Sequence, residues 1–557
     1  MYITGYAPYG DGGILIRVET DIRRGIPGID ISGLAEGAVK EARERVRAAF
    51  RNSGLAFPLD RILINLAPAG VKKEGAALDL PIALSVMAAA ALVPGLSALP
   101  EQLMVLGELE LSGRVRPVRG VLAAVARGLT EGIRFFIIPK ENEAEAAVLL
   151  GDDGSFRRQA PVLLKKPDLE GDIQYSAVST LDEAAHVLVF LTTKGSFPPP
   201  FFGGAAFTGP EPPFDCGDFA EVRGQGRYKR ALEIAAAGGH NLLVFGAPGS
   251  GKTMLARRLA SVMAPLLPEE AVEVTRIHSL AGQLESRMSS KEESRGFSLI
   301  TRPPFRSPHH SASAEGILGG GRTVRPGEIS LAHLGVLFLD EAPEYKINVL
   351  QALREPLEDR FLTIVRAEGP VRLPADFQLI MAANACPCGR LGAHSNTNED
   401  FSGSGGCFCS PEEIYRYWRK FGGALLDRID IRVPVNGANG DLYNVMASGE
   451  TASESSALIR DRVTKAVERQ RSRGIRRNAR MTPSQIEVYC ALDANASQTF
   501  RRAAEGLALS GRACHSILKV ARTIADLAGR ETIDSTHILE AVQHRRLGDD
   551  PYDVIQE

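Results

Sequence analysis

The residues with the most recognisable chemistry lie in a glycine-rich segment between an apolar run, residues 241–245, and a helix-forming run. Glycines at this spacing let backbone N–H groups turn toward phosphate oxygens, and the helix N-terminus behind them favours an anion. Lys252 is expected to contact the β- and γ-phosphates of a nucleoside triphosphate, and the Thr253 hydroxyl is expected to bind Mg²⁺. The predicted phosphate-binding loop consists of Gly246, Ala247, Pro248, Gly249, Ser250, Gly251, Lys252 and Thr253.

Two adjacent carboxylates, Asp340 and Glu341, follow the apolar run 336–339. Taken alone, an apolar run that ends in acids is more often a strand followed by a solvated turn. In a chain with a phosphate-binding loop, one acid suits the Mg²⁺ shell and the other suits orientation of the attacking water. We therefore assign Asp340, with Thr253, to the metal and Glu341 to the water, and we expect ATP and Mg²⁺ as cofactors.

Two more polar residues stand at the ends of secondary-structure segments. Asn384 follows the run 379–383, where its amide would sense the γ-phosphate, although a turn asparagine gives the same pattern. Arg428 lies where a helix gives way to a strand, and an arginine there can reach the γ-phosphate of a neighbouring subunit. Its guanidinium stays charged and binds phosphate through two hydrogen bonds. The predicted catalytic set consists of Lys252, Asp340, Glu341, Asn384 and Arg428.

The elements that position these residues follow from the hydrophobic pattern. Short apolar runs at 242–245, 336–339, 379–383 and 429–433 alternate with helical patterns. Such alternation predicts an α/β fold with a largely parallel sheet that is buried on both faces.

Length, charge and hydropathy bound the remaining choices. With 557 residues the chain exceeds what one hydrophobic core supports, so several domains are expected. A net charge of -2 neither supports nor excludes nucleic acid, and a DNA contact would need a local basic patch or an enclosed channel. The N-terminus lacks a signal-peptide pattern, and the longest apolar stretch, 81–99, is interrupted at Pro94 and Gly95. We expect a cytoplasmic protein without a membrane span.

Breaks in composition divide the chain into four predicted segments. A stretch rich in Pro and Gly, 191–217, is typical of a linker and follows an N-terminal domain, 1–190. A small, polar stretch that begins at residue 447 precedes mainly helical sequence. The nucleotide-binding core is therefore predicted at 218–446 and a helical lid at 447–557.

Four of the seven cysteines, Cys386, Cys388, Cys407 and Cys409, crowd into one short segment. Such clustering points to a reducing compartment and to thiols or a metal site instead of disulfides. Four thiolates suit a structural Zn²⁺, with His394 as a substitute ligand. However, zinc sites usually place two or more residues between paired cysteines, and each pair here has one. A Zn²⁺ site and a set of reduced thiols in an insertion both remain open.

Two further motifs stay outside the catalytic set. His309 and His310 fit packed turn residues, DNA contacts or transmission of nucleotide state between subunits. The segment 469–480 carries six arginines in twelve residues without an acid. A solvated surface run is the ordinary explanation of that segment, and phosphate contact is the alternative.

Several long motifs in a fixed order resemble the ComM/YifB family of bacterial magnesium-chelatase-like AAA+ proteins, over essentially the whole chain. The resemblance implies a AAA+ P-loop sheet with a helical lid, assembled as a homo-hexameric ring that binds ATP between subunits and passes DNA through its centre. Members of the ComM type act in natural transformation as helicases that drive branch migration. The most specific stretches are residues 218–225, 230–241, 304–310, 325–333 and 425–430.

The same resemblance assigns roles to individual arginines. It gives Arg428 as the finger that acts in trans and Arg512 as the lid arginine that contacts the phosphates. It also implies a hairpin that projects into the pore, where Arg366 and Arg372 would grip DNA phosphates without reading the sequence. Two β-rich runs around residues 368–370 predict a hairpin independently.

The N-terminal domain resembles the Lon-protease fold, an α+β fold of the ribosomal S5 domain 2 type, in the stretches 107–120 and 135–142. A Lon-type protease needs a serine nucleophile and a lysine base. No serine occurs between Lys73 and Pro81, and no lysine occurs between Pro117 and Lys140. We predict a binding or assembly domain without proteolytic activity.

The favoured function is an ATP-driven DNA motor, a hexameric branch-migration helicase of natural transformation or recombination. Its expected partners are DNA, further copies of the chain and recombination proteins. The alternative is a chelatase-like or protein-remodelling ATPase that does not act on DNA. The nucleotide-binding residues do not separate the two functions, because both use the same phosphoryl-transfer chemistry.

Overall fold

The structure of the chain is a computed structural model. In the part of the chain that it describes, no helix combines the length and the hydropathy needed to cross a membrane. The described residues are 2–10, 12–33, 37–70, 73, 76–90, 99–150, 173–198, 216–284, 299–321, 324–366, 369–391, 407–435 and 454–546.

The N-terminal region combines strands and helices. The strands are β1 (Tyr2–Ala7), β2 (Ile14–Arg23), β3 (Gly28–Ser32), β4 (Arg61–Ala67), β5 (Leu103–Val105), β6 (Glu108–Leu109), β7 (Val115–Arg116), β8 (Phe135–Pro139) and β9 (Gln174–Val178). The helices are α1 (Gly37–Asn52), α2 (Asp79–Ala89), α3 (Val121–Thr130), α4 (Glu143–Leu150) and α5 (Leu181–Lys194). Seven strands form one mixed sheet in the order β3-β4-β2-β1-β5-β8-β9.

The core of this sheet follows from residue patterning. In β4 the alternate residues Ile62, Ile64 and Leu66 are fully buried, as expected for a strand with one face on the core. Helix α2 is buried from Asp79 to Ala88, because it packs against β1 and β2 within the sheet's hydrophobic cluster. The first part of the apolar stretch 81–99 is therefore a buried helix, which ends at Ala89.

The central region carries the second sheet. Its strands are β10 (Leu242–Gly246), β11 (Phe305–Arg306), β12 (Gly319–Gly320), β13 (Arg325–Pro326), β14 (Val336–Leu339), β15 (Phe361–Arg366), β16 (Gly369–Pro374), β17 (Gln378–Ala383) and β18 (Ile431–Val435). Its helices are α6 (Gly226–Gly238), α7 (Lys252–Val262), α8 (Pro268–Leu280), α9 (Ala314–Leu318), α10 (Glu328–Leu331), α11 (Ile347–Ala352), α12 (Arg354–Asp359), α13 (Pro411–Arg419) and α14 (Gly423–Leu426).

Five of these strands form a fully parallel sheet in the order β11-β14-β17-β10-β18. The four apolar runs predicted as strands are all present, and the prediction of a parallel sheet is confirmed. Along β10, Leu242 and Val244 face one hydrophobic cluster while Leu243 and Phe245 face another, and all four are fully buried. The sheet is therefore covered on both faces, which explains why its strands are apolar throughout.

The C-terminal region is helical. Its helices are α15 (Ser456–Ser472), α16 (Pro483–Tyr489), α17 (Ala494–Gly506), α18 (Gly511–Leu527) and α19 (Ser535–Arg546). A buried polar chain fastens it to the sheet: His240 bonds Asp430 over 3.1 Å and Thr523 over 2.8 Å. Ser516 of α18 donates to the other oxygen of Asp430 over 2.6 Å.

The described elements refine the predicted domain limits. The limit at residue 190 is wrong, because it falls inside α5, which continues to Lys194 and ends at a left-handed Gly195. Most of the predicted linker, 199–215, and the predicted break at 446–447 lie outside the described residues. The N-terminal and central regions share a hydrophobic cluster in which α3 packs against α8.

Candidate nucleotide site

The phosphate-binding loop leaves the carboxyl end of β10 and enters α7. Gly246 has a φ of 156°, and a Cβ there would lie 1.9 Å from the carbonyl oxygen of Val435, so that only glycine fits. Lys252 is 9% exposed, and its Nζ donates to the carbonyl oxygens of Gly246 over 2.9 Å and Ala247 over 2.8 Å. Burial lowers the pKa of Lys252, against the opposing attraction of the acidic pair. The amine is thus folded over the loop that phosphate would enter.

The acidic pair lies at the same edge of the sheet, directly after β14. The Thr253 hydroxyl donates to Asp340 Oδ2 over 2.8 Å. These two oxygens are hard ligands of the kind that Mg²⁺ takes, so the residues present fit the expected metal. Glu341 has a left-handed backbone with a φ of 48°, and its exposed carboxylate makes no contact with that pair of ligands among those that the described residues show; its Oε2 lies 3.7 Å from His310 Nδ1. A carboxylate outside the metal shell is what orientation of a water requires.

Asn384 completes this edge, directly after β17. Its Oδ1 accepts a hydrogen bond from Lys252 Nζ over 3.4 Å. The loop follows β10 and Asp340 follows β14, and these strands flank β17 in the parallel sheet. Four predicted residues, Lys252, Thr253, Asp340 and Asn384, are therefore brought together at what we call the carboxyl edge.

A residue that the sequence left outside the catalytic set also lies here. His310 Nδ1 is 3.7 Å from Glu341 Oε2. The His310 ring stacks on His309 at 4.1 Å between centroids, and Tyr345, which meets His310 edge-on, donates its hydroxyl to Pro308 O over 2.5 Å. His310 thus lies beside the candidate water-orienting carboxylate, and the exposed His309 stacks on it. In the sequence, the one sign of this contact is the position of the histidines just after β11, a strand of the same sheet as β14.

Arg428 lies at the opposite edge of the sheet, which we call the amino edge. Its backbone oxygen accepts from the side chain of Asn241, the residue that precedes β10, over 2.9 Å. Because β10 and β18 are parallel, this end is separated from the phosphate-binding loop by the length of a five-residue strand, about 16 Å. The Arg428 guanidinium pairs with Glu358 over 2.7 Å. It therefore does not serve the phosphate-binding loop of its own chain.

Arg512, at the start of α18, lies in the same cluster. It pairs with Glu358 and lies 3.9 Å from Asp427. Partial burial opposes ionisation of Glu358, but hydrogen bonds from Arg428 and Arg512 outweigh it and lower the pKa of Glu358. The family resemblance implies that Arg512 contacts the phosphates as the lid arginine. The structure places it beside Arg428 at the amino edge, because α18 docks through Asp430 at that end of the sheet.

The predicted hairpin is present as β15 and β16, which pair from Phe361–Pro374 to Arg366–Gly369. Arg372 is exposed and its guanidinium lies 4.6 Å from the centre of the Phe361 ring. Arg366 is instead tied to a second small hairpin, since it donates to Gly321 O over 2.6 Å. Of the two arginines predicted to hold DNA, Arg372 is the one whose charge faces solvent.

The four clustered cysteines also meet. The sulfur atoms of Cys386, Cys388, Cys407 and Cys409 all lie within 4.8 Å of one another, as thiols. His394, the suggested substitute ligand, lies outside the described residues.

The arginine run 469–480 has mainly internal partners. Arg473 pairs with the fully buried Asp526 over 2.5 Å, Arg476 with Glu270 over 2.7 Å and Arg480 with Asp376 over 2.8 Å. The acids lie on α18, on α8 and before β17, so Arg473 ties two parts of the helical region together, whereas Arg476 and Arg480 join that region to the central one. Arg473 and Arg480 are largely buried, so a solvated surface run does not describe them, whereas Arg476 is 41% exposed.

Three family models match consecutive parts of the chain. The model of magnesium chelatase, subunit ChlI, matches residues 218–442. The model of subunit ChlI of Mg-chelatase matches residues 18–142, and that of the subunit ChlI C-terminal region matches residues 453–545.

Curated relatives match over nearly the full length. The chain is 38% identical over 534 residues to the uncharacterized protein YifB of Salmonella typhimurium, which covers 96% of the chain and 94% of that relative. It is 38% identical over 536 residues to the competence protein ComM of Haemophilus influenzae, with 96% and 95% covered. A shorter match to the Lon protease of Salinispora arenicola has 35% identity over 153 residues, 26% of the chain and 19% of that relative.

The partial Lon match agrees with the fold expected for the N-terminal region, and the parallel sheet carries the phosphate-binding loop where an AAA+ domain has it. ATPase activity is what this architecture indicates. With matches along almost its entire length, the chain belongs to the ComM/YifB family of magnesium-chelatase-like AAA+ proteins.

Proposed function

We propose that the chain is an ATP-driven DNA motor, a cytoplasmic hexameric helicase that drives branch migration in transformation or recombination. The observation that carries the proposal is the division of the site between two edges of one sheet. Lys252, Asp340 and Asn384 are at the carboxyl edge, whereas Arg428 is at the amino edge and cannot reach them. A second copy of the chain, placed with its amino edge against this carboxyl edge, supplies the missing cation.

Each residue then has a defined part in hydrolysis. Lys252 exchanges its carbonyl partners for phosphate oxygens, and Thr253 with Asp340 holds Mg²⁺, which when bound neutralises phosphate charge. Glu341 orients the attacking water and Asn384 holds it against the γ-phosphate. Arg428 of the neighbouring copy, with Arg512 beside it, stabilises the charge that develops on the phosphate. The site is therefore complete only between two subunits, which supports the proposed ring.

The DNA part of the proposal rests on the hairpin and on one relative. The hairpin of β15 and β16 carries an exposed arginine, Arg372, on β16. In the chain, β16 is followed directly by β17, a strand of the nucleotide-binding sheet. A backbone phosphate is the natural partner of such a charge, without sequence preference. The competence protein ComM, similar over almost its whole length, carries a name that links it to competence. Recombination proteins are the further partners that we propose.

The test measures ATPase activity and branch migration of a four-way junction by the purified chain. We expect DNA to stimulate hydrolysis, and DNA affinity to fall steeply as salt rises. Lys252→Ala is the control, because it removes the lysine that would bind the nucleotide phosphates. This variant should lose both the stimulation of hydrolysis by DNA and branch migration.

The hairpin is tested by Arg372→Ala. We expect DNA affinity to fall about tenfold. The slope of the logarithm of affinity against the logarithm of salt concentration should decrease by about one, which corresponds to one phosphate contact. Arg51→Ala, which removes an exposed arginine from the last turn of α1, is the matched control and should leave affinity unchanged. Equal losses in both variants would show that the hairpin has no special contact with DNA.

A second function is remodelling of a protein or metal insertion, and the names of the matching family models, which are those of a magnesium chelatase subunit, favour metal insertion. If no DNA form binds the chain or stimulates its ATPase, that function replaces the DNA motor. Proteolysis is not proposed, because no serine occurs between Lys73 and Pro81 and no lysine occurs between Pro117 and Lys140, where the resemblance to Lon proteases would require them.

A further inference from the structure

The four-cysteine cluster has the geometry of a metal site. Cys386 Sγ lies 3.3 Å from Cys388 Sγ and 3.5 Å from Cys407 Sγ, and the sulfurs of Cys388 and Cys407 are also 3.5 Å apart. With Cys409 included, all four sulfurs lie within 4.8 Å of one another. A tetrahedral zinc with bonds of about 2.3 Å places its sulfurs about 3.8 Å apart. The four sulfurs are therefore gathered within about 1 Å of the separations that one zinc ion would impose.

Thiols alone give little reason for this arrangement. The S–H group is a weak donor and sulfur is a weak acceptor, so contacts between thiols stabilise the fold very little. Cys386 is fully buried, whereas Cys388 is exposed, and the neighbouring Phe408 is 76% exposed. Two Cys-X-Cys segments are thus held together at the border of a hydrophobic cluster, which buries Cys386 and contacts Cys407 and Cys409 but leaves Cys388 exposed. A metal cross-link accounts for their meeting, and one residue between paired cysteines does not prevent it.

The cluster also touches the nucleotide site. Asn384, the candidate γ-phosphate sensor, lies two residues before Cys386. Within the turn that follows Cys386, Gly389 approaches the phosphate-binding loop so closely that a Cβ there would lie 2.7 Å from Pro248 Cγ. The backbone N–H of Gly389 donates to Cys386 O over 3.0 Å, which fixes the turn.

The second pair of cysteines connects to the same place through a helix. Cys409 is followed by Ser410, which caps α13. In that helix, Trp418 donates its indole N–H to Ala385 O over 3.0 Å and packs edge-on against Phe245 of β10 at 5.4 Å. The cluster is therefore linked to Asn384, to the phosphate-binding loop and to the strand beneath it.

We propose that the four cysteines bind one structural Zn²⁺ and that this zinc positions Asn384 for hydrolysis. The four thiols lose their protons to solvent as they bind, and the ion stays Zn²⁺ because no electron is transferred. Asn384 touches the nucleotide, whereas the zinc acts through it and is a positioning element. The part that concerns hydrolysis rests on the proposed ATPase function, but metal content does not.

The first experiment measures metal in the purified full-length chain by mass spectrometry, together with titration of free thiols. We expect one zinc per chain, and loss of most of it in Cys388→Ser and in Cys409→Ser. Cys514→Ser is the matched control, because Cys514 lies outside the cluster on α18, and it should keep its zinc. Four reactive thiols without metal, disulfides within the cluster, or iron in place of zinc would each overturn the site.

The second experiment tests the link to Asn384. Loss of zinc should lower kcat about tenfold while the affinity for ADP changes less than about threefold, because ADP lacks the phosphate that Asn384 senses. In an Asn384→Ala background, the same loss of zinc should have little further effect on kcat. Additive effects would show a merely structural metal and would overturn the positioning role.

The metal site and the positioning role can be tested separately even if a variant does not fold or the chain does not hydrolyse ATP. If the cysteine variants do not fold, wild-type protein from which zinc is removed by a chelator, and checked by thermal unfolding, takes their place in both measurements. A wild-type chain that holds one zinc but does not hydrolyse ATP would contradict the proposed function and the positioning role, and leave the metal site standing.

Discussion

The two edges of the central sheet differ in how completely they are built. At the carboxyl edge, side chains from three strand ends contact one another directly: Lys252 reaches Asn384, and Thr253 reaches Asp340. At the amino edge, two arginines, Arg428 and Arg512, share one carboxylate, Glu358, and have no phosphate-binding loop beside them. One edge has ligands for a nucleotide, and the other has cations that are paired within the chain.

In the proposed assembly, this difference means that one chain carries all the residues assigned to hydrolysis and still needs a second copy. A parallel sheet places its carboxyl and amino ends on opposite sides, so residues at the two edges cannot meet within one molecule. They meet when the edges of neighbouring copies face each other. In this arrangement Glu358 forms ion pairs with Arg428 and Arg512 until the γ-phosphate of a nucleotide bound to the adjacent copy competes for the two arginines.

The largest effect is expected at the carboxyl edge, from Glu341→Gln. The amide keeps the shape of the side chain but cannot accept a proton or orient water as a carboxylate does, so kcat should fall about 1000-fold. ATP binding should persist, since Lys252, Thr253 and Asp340 are unchanged. Single-turnover hydrolysis and ATP retention on the oligomer are the measurements. A turnover within about twofold of wild type would remove Glu341 from this role.

The second effect is at the amino edge, from Arg428→Ala, with kcat lowered about 100-fold because an arginine finger supplies transition-state charge. The distinguishing measurement mixes this variant with Glu341→Gln. Each inactive chain then carries the edge that the other lacks, and interfaces between an intact Glu341 and an intact Arg428 form in the mixture. We expect hydrolysis to return in part. No recovery, in mixed oligomers shown to form, would mean that Arg428 does not act in trans.

The carboxyl edge was far more predictable from the sequence than the amino edge. Its residues sit directly after apolar runs, so that local pattern and phosphate chemistry together identified Lys252, Asp340 and Asn384, and the parallel sheet followed from the same runs. The meeting of Arg428, Arg512 and Glu358 depends on how α12 and α18 dock, which no local pattern encodes. For the same reason, the internal partners of the arginine run 469–480 could not be anticipated.

Arg512→Ala should have an intermediate effect and sharpens the comparison of the two arginines. Arg512 is more exposed than Arg428, with 45% against 14% of the side chain accessible, so we expect it to hold phosphate less firmly and kcat/KM to fall about tenfold. Mixing Arg512→Ala with Glu341→Gln tests whether Arg512 acts on the nucleotide of its own chain or on that of a neighbouring copy. If activity returns for Arg428→Ala but not for Arg512→Ala, the two arginines serve different copies of the site.

The smallest effect is expected for Glu358→Gln, which removes the charge that the arginines share. In the free chain, the loss of two partly exposed ion pairs should lower the free energy of unfolding by about 1 kcal/mol. In the assembled oligomer, the phosphate no longer competes with a carboxylate for Arg428 and Arg512, and KM for ATP should fall about threefold. Glu355→Gln is the matched control, since Glu355 lies on the same helix and accepts from the backbone of Thr363 instead of pairing with an arginine. A higher KM in Glu358→Gln, with the control unchanged, would mean that Glu358 positions the arginines for phosphate instead of competing for them.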